Sequence, residues 1–371
     1  MSHKHEKFYL IYILWLLIFV FSTNQYYDFN EIVSINQLDS VSYMAIANSS
    51  PNYSSEFIPY HHAQRVFFPY LIGIIANIFN LEVFFTFRVF TLISLFLIIF
   101  FHYLIMKKLE TDFFFSIILI SLLILNPYIF RYFIAVPTMI NDSIFILSLY
   151  LFSFGLKFNN NFTLSSVFLG LVSRQNGIFL LIANCINIFL NNKYKFFINK
   201  SFVFSLLILI VVFLLSNRYA TQVSTQDFDL KHIYGIFQWF YNDWNFLEFT
   251  KWMLLPFYSY LPILIIFFIY RKLKDYQKKT LKDNLILIFI FLSIIGISFL
   301  PGPEMAGRNL IRQTTLAYPI ILIWLSWFTV SKKKTYNKIV IIFFIIILHI
   351  WSLHPTYSNI SLFSFLRNYL F

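Results

Sequence analysis

Long apolar runs, separated by short polar or basic clusters, recur along the whole chain and limit the folds open to it. Hydrophobic residues make up 59% of the sequence and charged residues only 12%, which is too apolar for a soluble domain of 371 residues. A run of about 20 apolar residues crosses a bilayer as a helix, because a helix satisfies its own backbone hydrogen bonds in lipid. The pattern therefore predicts an all-α fold, a polytopic transmembrane helical bundle of about eleven spans.

We expect a single transmembrane domain over residues 1–371, with two large outer loops at residues 23–83 and 217–251. Within the first loop, residues 66–80 form an apolar run that is too short to cross the bilayer upright. This run predicts a juxtamembrane helix on the outer face. The polar segment 126–142 is expected to form a shorter outer loop.

The formal net charge of +12 does not indicate a nucleic-acid partner, because the lysines lie in short loops between the apolar runs. Positive charge in such loops marks the cytoplasmic side and contacts anionic membrane lipid. The basic start of the chain, MSHKHEK, therefore predicts a cytoplasmic N-terminus. We expect an integral, multi-pass protein of a bacterial cytoplasmic membrane. The single cysteine, Cys185, excludes an intramolecular disulfide.

The basic residues are sorted by type along this topology. Seventeen lysines and one arginine fall on the inner side, whereas eight arginines and two lysines fall on the outer side. The positive-inside rule explains the inner lysines but does not explain why the outer cations are mostly arginine. Arginine is the fork-shaped cation suited to phosphate and carboxylate, so we infer an outer-leaflet site for a phosphorylated lipid. The alternative is interfacial snorkelling combined with nucleotide bias.

In the first outer loop, Asp39 opens an apparent helix, LDSVSYMAIA, with Tyr43 one turn further on. A carboxylate that reaches its substrate and is free of a tight ion pair acts as a general base. We therefore interpret Asp39 as a base that takes a proton from an acceptor hydroxyl, with Tyr43 beside the substrate. The alternative is a helix N-cap, a role compatible with the first.

Arg65 stands before the next apolar run and is a candidate phosphate anchor or a partner that positions Asp39. The adjacent His61 and His62 lack the companions of a metal site. His62 is a candidate for substrate contact or proton relay, and a solvated loop histidine is the alternative.

Two short apolar runs, residues 162–172 and 177–190, are interrupted by Ser-Arg-Gln-Asn-Gly. They predict a helical hairpin whose turn, with Arg174, lies outside or within the outer leaflet. Polar groups at membrane depth indicate a functional site. Asp142, at the start of an apolar run, is a helix-cap candidate and a second acid that faces the site. A structural ion pair between Asp142 and Arg174 is the rival interpretation.

A late outer loop, PGPEMAGRNLIRQ, contains Glu304, Arg308 and Arg312 at spacings of four residues. This spacing places all three on one helical face. They form either a clamp for substrate phosphate or a series of surface salt bridges.

The sequence contains no phosphate-binding glycine loop of the GxxxxGKS type, no GxSxG, no HExxH and no CxxC motif. ATPase, hydrolase-elbow and zinc interpretations therefore have no support. We predict no metal ligands and no certain cofactor, and a divalent cation is the one cofactor left open.

Four short patches resemble the GT-C superfamily, polytopic glycosyltransferases that use polyprenyl-phosphate-linked sugars. These are LDSVSYMAIA, the Arg-led run in HHAQRVFFPYLIGIIANIF, the broken hairpin LVSRQNGIFLL, and PGPEMAGRN in the late loop. The resemblance implies a membrane bundle with juxtamembrane helices on the outer face and a catalytic acid in the first outer loop, at Asp39. The chain lacks the paired acids that several of these families carry there, which leaves metal dependence in doubt.

We therefore expect an inverting transfer of a sugar from polyprenyl phosphate to a lipid-linked or glycan acceptor on the outer face. Asp39 acts as base, while Arg65, Arg308 and Arg312 hold the lipid phosphate. The alternatives are an O-antigen or capsule polymerase, in which residues 217–251 are essential, and a glycolipid flippase or transporter, for which inverted repeats are expected.

Overall fold

The computed structural model describes residues 3–34, 38–191, 200–224, 231–269, 281–303, 309–326, 338–354 and 356–359. Within these ranges the chain folds into helices joined by turns and loops and forms no strand beyond one isolated bridge between Asn24 and Ser358. The all-α fold class is therefore confirmed.

The first half of the described chain contains α1 (His3–Thr23), α2 (Phe29–Ser34), α3 (Leu38–Ser49), α4 (Tyr60–Ala63), α5 (Phe67–Phe79), α6 (Val83–Lys108), α7 (Phe113–Ile124), α8 (Tyr132–Ala135), α9 (Ile140–Phe158), α10 (Asn161–Ser173) and α11 (Ile178–Asn191). The second half contains α12 (Lys200–Val223), α13 (Lys231–Asn242), α14 (Phe246–Leu254), α15 (Phe257–Ile269), α16 (Leu281–Phe299), α17 (Asn309–Thr315), α18 (Tyr318–Ser326) and α19 (Lys338–Ser352).

Five helical stretches in the described chain are long and apolar enough to cross a membrane: His5–Thr23, Val83–Lys108, Phe113–Ala135, Pro137–Phe158 and Lys200–Val223. A sixth arises if α14 and part of α15, which meet at a bend of 58°, count as one span. Several shorter apolar helices accompany them. This composition indicates an integral membrane protein, and the figure of about eleven spans remains a prediction.

The centre of the bundle is α9, which packs against α6, α10 and α18. In the stretch Pro137–Phe158, 94% of the most apolar segment is buried inside the protein. The corresponding share in Lys200–Val223 is only 6%. Helix α9 is therefore shielded by its neighbours, whereas α12 exposes most of its apolar side chains at the periphery. Such exposure suits a hydrocarbon solvent, in which an apolar side chain loses nothing by facing outward.

The expected outer loop at residues 126–142 is wrong, because the segment is helical and buried. A π-helical turn, Pro127–Arg131, leads into α8, and a 3-10 turn, Pro137–Met139, leads into α9. Each proline stands at the first position of its helical turn, where a missing N–H costs no hydrogen bond. Each proline therefore starts a new helical turn directly after a non-helical residue, Asn126 or Val136.

The short helices predicted near the outer face are confirmed as helices. α5 buries one face, and its Gly73 lies so close to the Ala47 carbonyl of α3 that a side chain there would overlap that backbone. In the predicted hairpin, α10 and α11 flank a 3-10 turn, Gln175–Gly177, in which Gly177 lies directly against the Gly170 backbone. The position of α5 at a membrane surface remains a prediction.

One end of the bundle is marked by lysine. Lys107, at the end of α6, forms an ion pair of 2.6 Å with Glu6 of α1. Lys108 lies over the rings of Phe154 and Phe158 at the end of α9. The start of α1 and the ends of α6 and α9 therefore share one end of the protein. The beginning of α9, about 27 Å away along its axis, belongs to the other end.

Candidate functional site

The first turn of α9 and the segments around it bring five charged side chains together: Asp39, Arg65, Asp142, Arg174 and Arg312, here called the ionic cluster. They come from α3, the turn before α5, α9, the break between α10 and α11, and α17. These segments are far apart in sequence, so only the tertiary fold joins them.

Asp39 lies in the first turn of α3 and is held by two strong contacts. Nη2 of Arg312 donates to its Oδ2 at 2.9 Å, and Nε2 of His62 lies 3.0 Å from its Oδ1. Nδ1 of His62 lies 2.9 Å from the Ser42 hydroxyl, one turn along α3. His62 is buried, so the interpretation of it as a solvated loop residue is wrong. The result is a continuous row of hydrogen-bonding groups, carboxylate to imidazole to hydroxyl.

Arg312 connects the two carboxylates of the ionic cluster. While Nη2 contacts Asp39, its Nε lies 3.7 Å from Oδ2 of Asp142. Nη1 donates to the Tyr132 hydroxyl at 3.2 Å. A planar guanidinium serves several acceptors at once because its five donors point in fixed directions. Arg312 is therefore the bridge between α3 and α9.

The Asp142–Arg174 pair forms the buried floor of the ionic cluster. Nη1 of Arg174 donates to Oδ1 of Asp142, and the two side chains are 4% and 2% exposed, respectively. Arg174 has an extended backbone between α10 and the following 3-10 turn, so the break in the hairpin aims its side chain at the start of α9. The positive end of the α9 dipole also favours the carboxylate there.

Arg65 joins the first loop to the hairpin. Its Nε donates to Oε1 of Gln175 at 2.8 Å, and Nη1 donates to the Tyr43 hydroxyl at 3.3 Å. Nη1 also lies 3.9 Å from Oδ2 of Asp39. The Arg65 carbonyl accepts from Nδ2 of Asn141 at 3.1 Å. Arg65 therefore contacts Asp39 only loosely and holds its main hydrogen bonds with neutral groups.

The ionic cluster has more positive than negative charge. Three guanidinium groups face two carboxylates, which leaves one excess positive charge when His62 is neutral. Burial by itself raises the pKa of Asp39, but Arg312, His62 and Arg65 outweigh it and hold that pKa well below its usual range. Asp39 is therefore ionised at neutral pH, and as long as its partners stay in place it is a weak proton acceptor.

Most of the predicted site residues meet in this one place. Seven of them lie in or against the ionic cluster: Asp39, Tyr43, His62, Arg65, Asp142, Arg174 and Arg312. Glu304 and Arg308 lie outside the described residues. Ser42 and Tyr132 were missed. Ser42 had a usable signal, its place one turn after Asp39, whereas Tyr132 lies in the segment expected to be an outer loop.

The residues of the ionic cluster do not fit a divalent cation. A guanidinium group already lies against each carboxylate, at Asp39 and at Asp142. Elsewhere in the described ranges, no three His, Cys, Asp or Glu side chains gather closely enough to hold a metal ion. An anion suits this donor set better, because guanidinium N–H groups only donate.

No family model matches the chain, and neither a curated protein nor a solved structure is similar enough to it to be matched. The functional argument therefore rests on the geometry and charge of the site.

Proposed function

We propose that this protein is a membrane glycosyltransferase that moves a sugar from a polyprenyl-phosphate carrier to a lipid-linked or glycan acceptor on the extracytoplasmic face. The observation that carries the proposal is the ionic cluster, whose excess positive charge lies at the end of an apolar bundle. A sugar–phosphate–polyprenol diester carries one negative charge. Its binding would bring the ionic cluster to neutrality.

The three arginines of the ionic cluster differ in exposure, and we assign their roles accordingly. The side chains of Arg65 and Arg312 are 14% and 12% exposed, so each is partly open to a ligand. Arg174 is almost fully buried against Asp142 and belongs to the support of the site. Paired guanidinium groups bind phosphate oxygens with directed, charge-assisted hydrogen bonds. Arg65 and Arg312 therefore bind the donor phosphate in this proposal.

Donor binding also activates the base. A phosphate that takes hydrogen bonds from Arg312 and Arg65 draws positive charge away from Asp39, whose pKa then rises towards its ordinary value. The acceptor hydroxyl attacks the anomeric carbon as its proton passes to Asp39, and the bond between that carbon and the phosphate oxygen breaks. The polyprenyl phosphate leaves with the bonding electron pair and is stabilised by the same arginines. One-step displacement inverts the anomeric configuration.

The distribution of charge supports an extracytoplasmic site. Lys107, Lys108 and Lys157 lie at the end of the bundle opposite to the ionic cluster. The positive-inside rule favours a cytoplasmic lysine end and therefore supports an extracytoplasmic ionic cluster. Outside the cytoplasm a lipid-linked sugar is the donor that a membrane enzyme meets, whereas nucleotide sugars are made within it.

The test is sugar transfer by the purified, reconstituted full chain. Labelled polyprenyl-phosphate sugars are offered together with a membrane lipid and glycan extract. We expect transfer by the wild type and at least a hundredfold slower transfer by Asp39→Asn, since a positioned base contributes about that much. Asp28→Asn, an exposed acid of the same loop outside the ionic cluster, is the matched control and should transfer at the wild-type rate.

Donor binding is measured separately with a labelled carrier. Binding that Asp39→Asn retains shows that this variant is folded. Equal transfer by Asp39→Asn and wild type contradicts the base assignment. Absence of any transfer from monophosphate carriers, combined with extension of lipid-diphosphate-linked glycans, identifies the polymerase alternative. Lipid movement without any glycosidic bond formation identifies a flippase.

A further inference from the structure

A cavity of about 260 Å³ lies between α1 and α6, apart from the ionic cluster. Its lining includes Phe21, Leu92, Phe133, Ile134, Pro137 and Arg88. The 3-10 turn Pro137–Met139 separates the two sites. Pro137 faces the cavity, while the Met139 sulfur lies 3.7 Å from Nη1 of Arg312 on the other side. The cavity is therefore a second site and not an extension of the first.

The size and lining of the cavity suit a hydrocarbon chain. An apolar cavity of about 150 Å³ already holds a benzene molecule, so this one has room for on the order of ten carbon atoms. Tyr26, which also lines the cavity, is 48% exposed, so the cavity opens at the surface. Both bordering helices are candidate membrane spans with exposed apolar side chains, among them Ile18 on α1 and Val89 on α6. A lipid chain can therefore enter from the side.

Arg88 gives the cavity a charge. Its Nη2 donates to the Tyr27 carbonyl at 2.7 Å, and its guanidinium lies 4.8 Å from the centre of the Phe84 ring. Its Nε is buried and has no hydrogen-bond partner in the part of the chain that the structure describes. Among the described residues no carboxylate lies within ion-pair distance of Arg88. An uncompensated cation beside an apolar cavity favours a ligand with a negative head and an aliphatic chain.

We propose that this cavity binds one chain of an anionic lipid whose head pairs with Arg88. The head is a phosphate or a carboxylate, supplied by an acidic phospholipid or by a free fatty acid. This lipid is distinct from the sugar carrier, and its binding does not depend on the proposed transferase activity. The lipid fills space between α1 and α6 at the end of the bundle that holds the ionic cluster.

The test uses photo-crosslinking in nanodiscs that contain the full chain. Three diazirine probes with the same acyl chain are compared: a phosphatidylglycerol, a phosphatidylcholine and a free fatty acid. We expect anionic probes to label the segments around Leu92 and Ile134 at least five times more than the zwitterionic probe. Leu92→Trp fills the cavity and should reduce all labelling there at least fivefold. Arg88→Gln should reduce the anionic probes to the level of the zwitterionic one.

Two control variants make the same kinds of substitution at positions outside the cavity. Leu97→Trp adds the same ring to an exposed position of α6, and Lys108→Gln removes a cation stacked on phenylalanine rings at the opposite end of α6. Both variants should leave the labelling unchanged. The thermal unfolding midpoint of every variant compared should equal that of the wild type. Stronger labelling by phosphatidylglycerol or by fatty acid supports the proposal and identifies the source of the head.

Three results would overturn the proposal. Equal labelling of wild type and Leu92→Trp shows that no chain occupies the cavity. Equal labelling by anionic and zwitterionic probes in the wild type shows that Arg88 selects nothing. Displacement of the probes by polyprenyl phosphate shows that the cavity belongs to the carrier site.

Discussion

Asp39 is held by opposing physical effects of unequal size. Burial favours its neutral form, while Arg312, His62 and Arg65 together favour the carboxylate and prevail. The same balance serves two purposes. It keeps α3 attached to α17 in the free protein, and it makes the basicity of Asp39 depend on what else Arg312 and Arg65 bind.

Because the folded-state pKa of Asp39 is depressed, its ionisation stabilises the fold above the unfolded-state pKa of about 3.9. That contribution is lost as the pH falls through the lower folded-state pKa. We expect Asp39→Asn to lower the unfolding midpoint at pH 7, and the difference from wild type to shrink below about pH 4. Thermal unfolding in detergent at a series of pH values measures it. A difference that is independent of pH, or equally large in Asp28→Asn, would contradict the assignment.

The Asp142–Arg174 pair allows a different experiment, because both side chains are almost fully buried. Removal of one partner leaves a buried charge uncompensated, which costs about 3–5 kcal/mol. We expect Asp142→Asn or Arg174→Gln alone to destabilise by that amount, and the double variant by clearly less than the sum. A double-mutant cycle on unfolding free energies measures the coupling. Additive losses would show that the pair contributes no direct coupling.

The sequence identifies most of the residues in the site but few of the contacts that join them. The helical spacing of Asp39 and Tyr43 in the first outer loop marks those two residues, and polar groups at membrane depth mark Asp142 and Arg174. The bridge made by Arg312 could not be foreseen, since the contact joins residues 273 positions apart.

Breaks between helices place two of the five side chains of the ionic cluster, Arg65 and Arg174. Arg174 points at Asp142 because the chain leaves α10 in an extended conformation and re-enters a helix only at the next turn. The hairpin was predictable from its polar interruption. The buried course of residues 126–142 was not, because Asn and Pro indicate a loop in isolation and a helix start in context.

Gly177 tests how closely the hairpin must pack. A side chain there would overlap the backbone of Gly170, so the turn that carries Arg174 would have to move. We expect Gly177→Ala to destabilise by about 1–3 kcal/mol. Gly296→Ala is the matched control on α16, since a methyl group there meets open space and a helix gains up to about 1 kcal/mol from alanine. Equal unfolding midpoints for the two variants, measured in detergent, would refute the close approach.

At the scale of the whole molecule, the two cations mark opposite ends. Lysine contacts Glu6 and the end of α9 at one end, while arginine forms the ionic cluster around the start of α9 at the other. A compact hydrated ammonium suits a cytoplasmic surface, and a guanidinium fork suits a site that grips carboxylate or phosphate. In the proposed function, the lysine end sets the orientation in the membrane and the arginine end supplies the chemistry.

The orientation of α6 in the membrane tests whether the lysine end is cytoplasmic and the ionic cluster extracytoplasmic, as we propose. α6 is about 39 Å long, enough to cross the hydrocarbon core, with exposed Glu82 just before it and exposed Lys108 at its end. In a Cys185→Ser background, we expect a membrane-impermeant maleimide to label Glu82→Cys on intact cells and Lys108→Cys only after permeabilisation. The reverse pattern would place the ionic cluster in the cytoplasm and remove the argument for a lipid-linked donor. Labelling of both from one side would show that α6 does not cross the membrane, and the division between lysine and arginine would then describe a fold and not a topology.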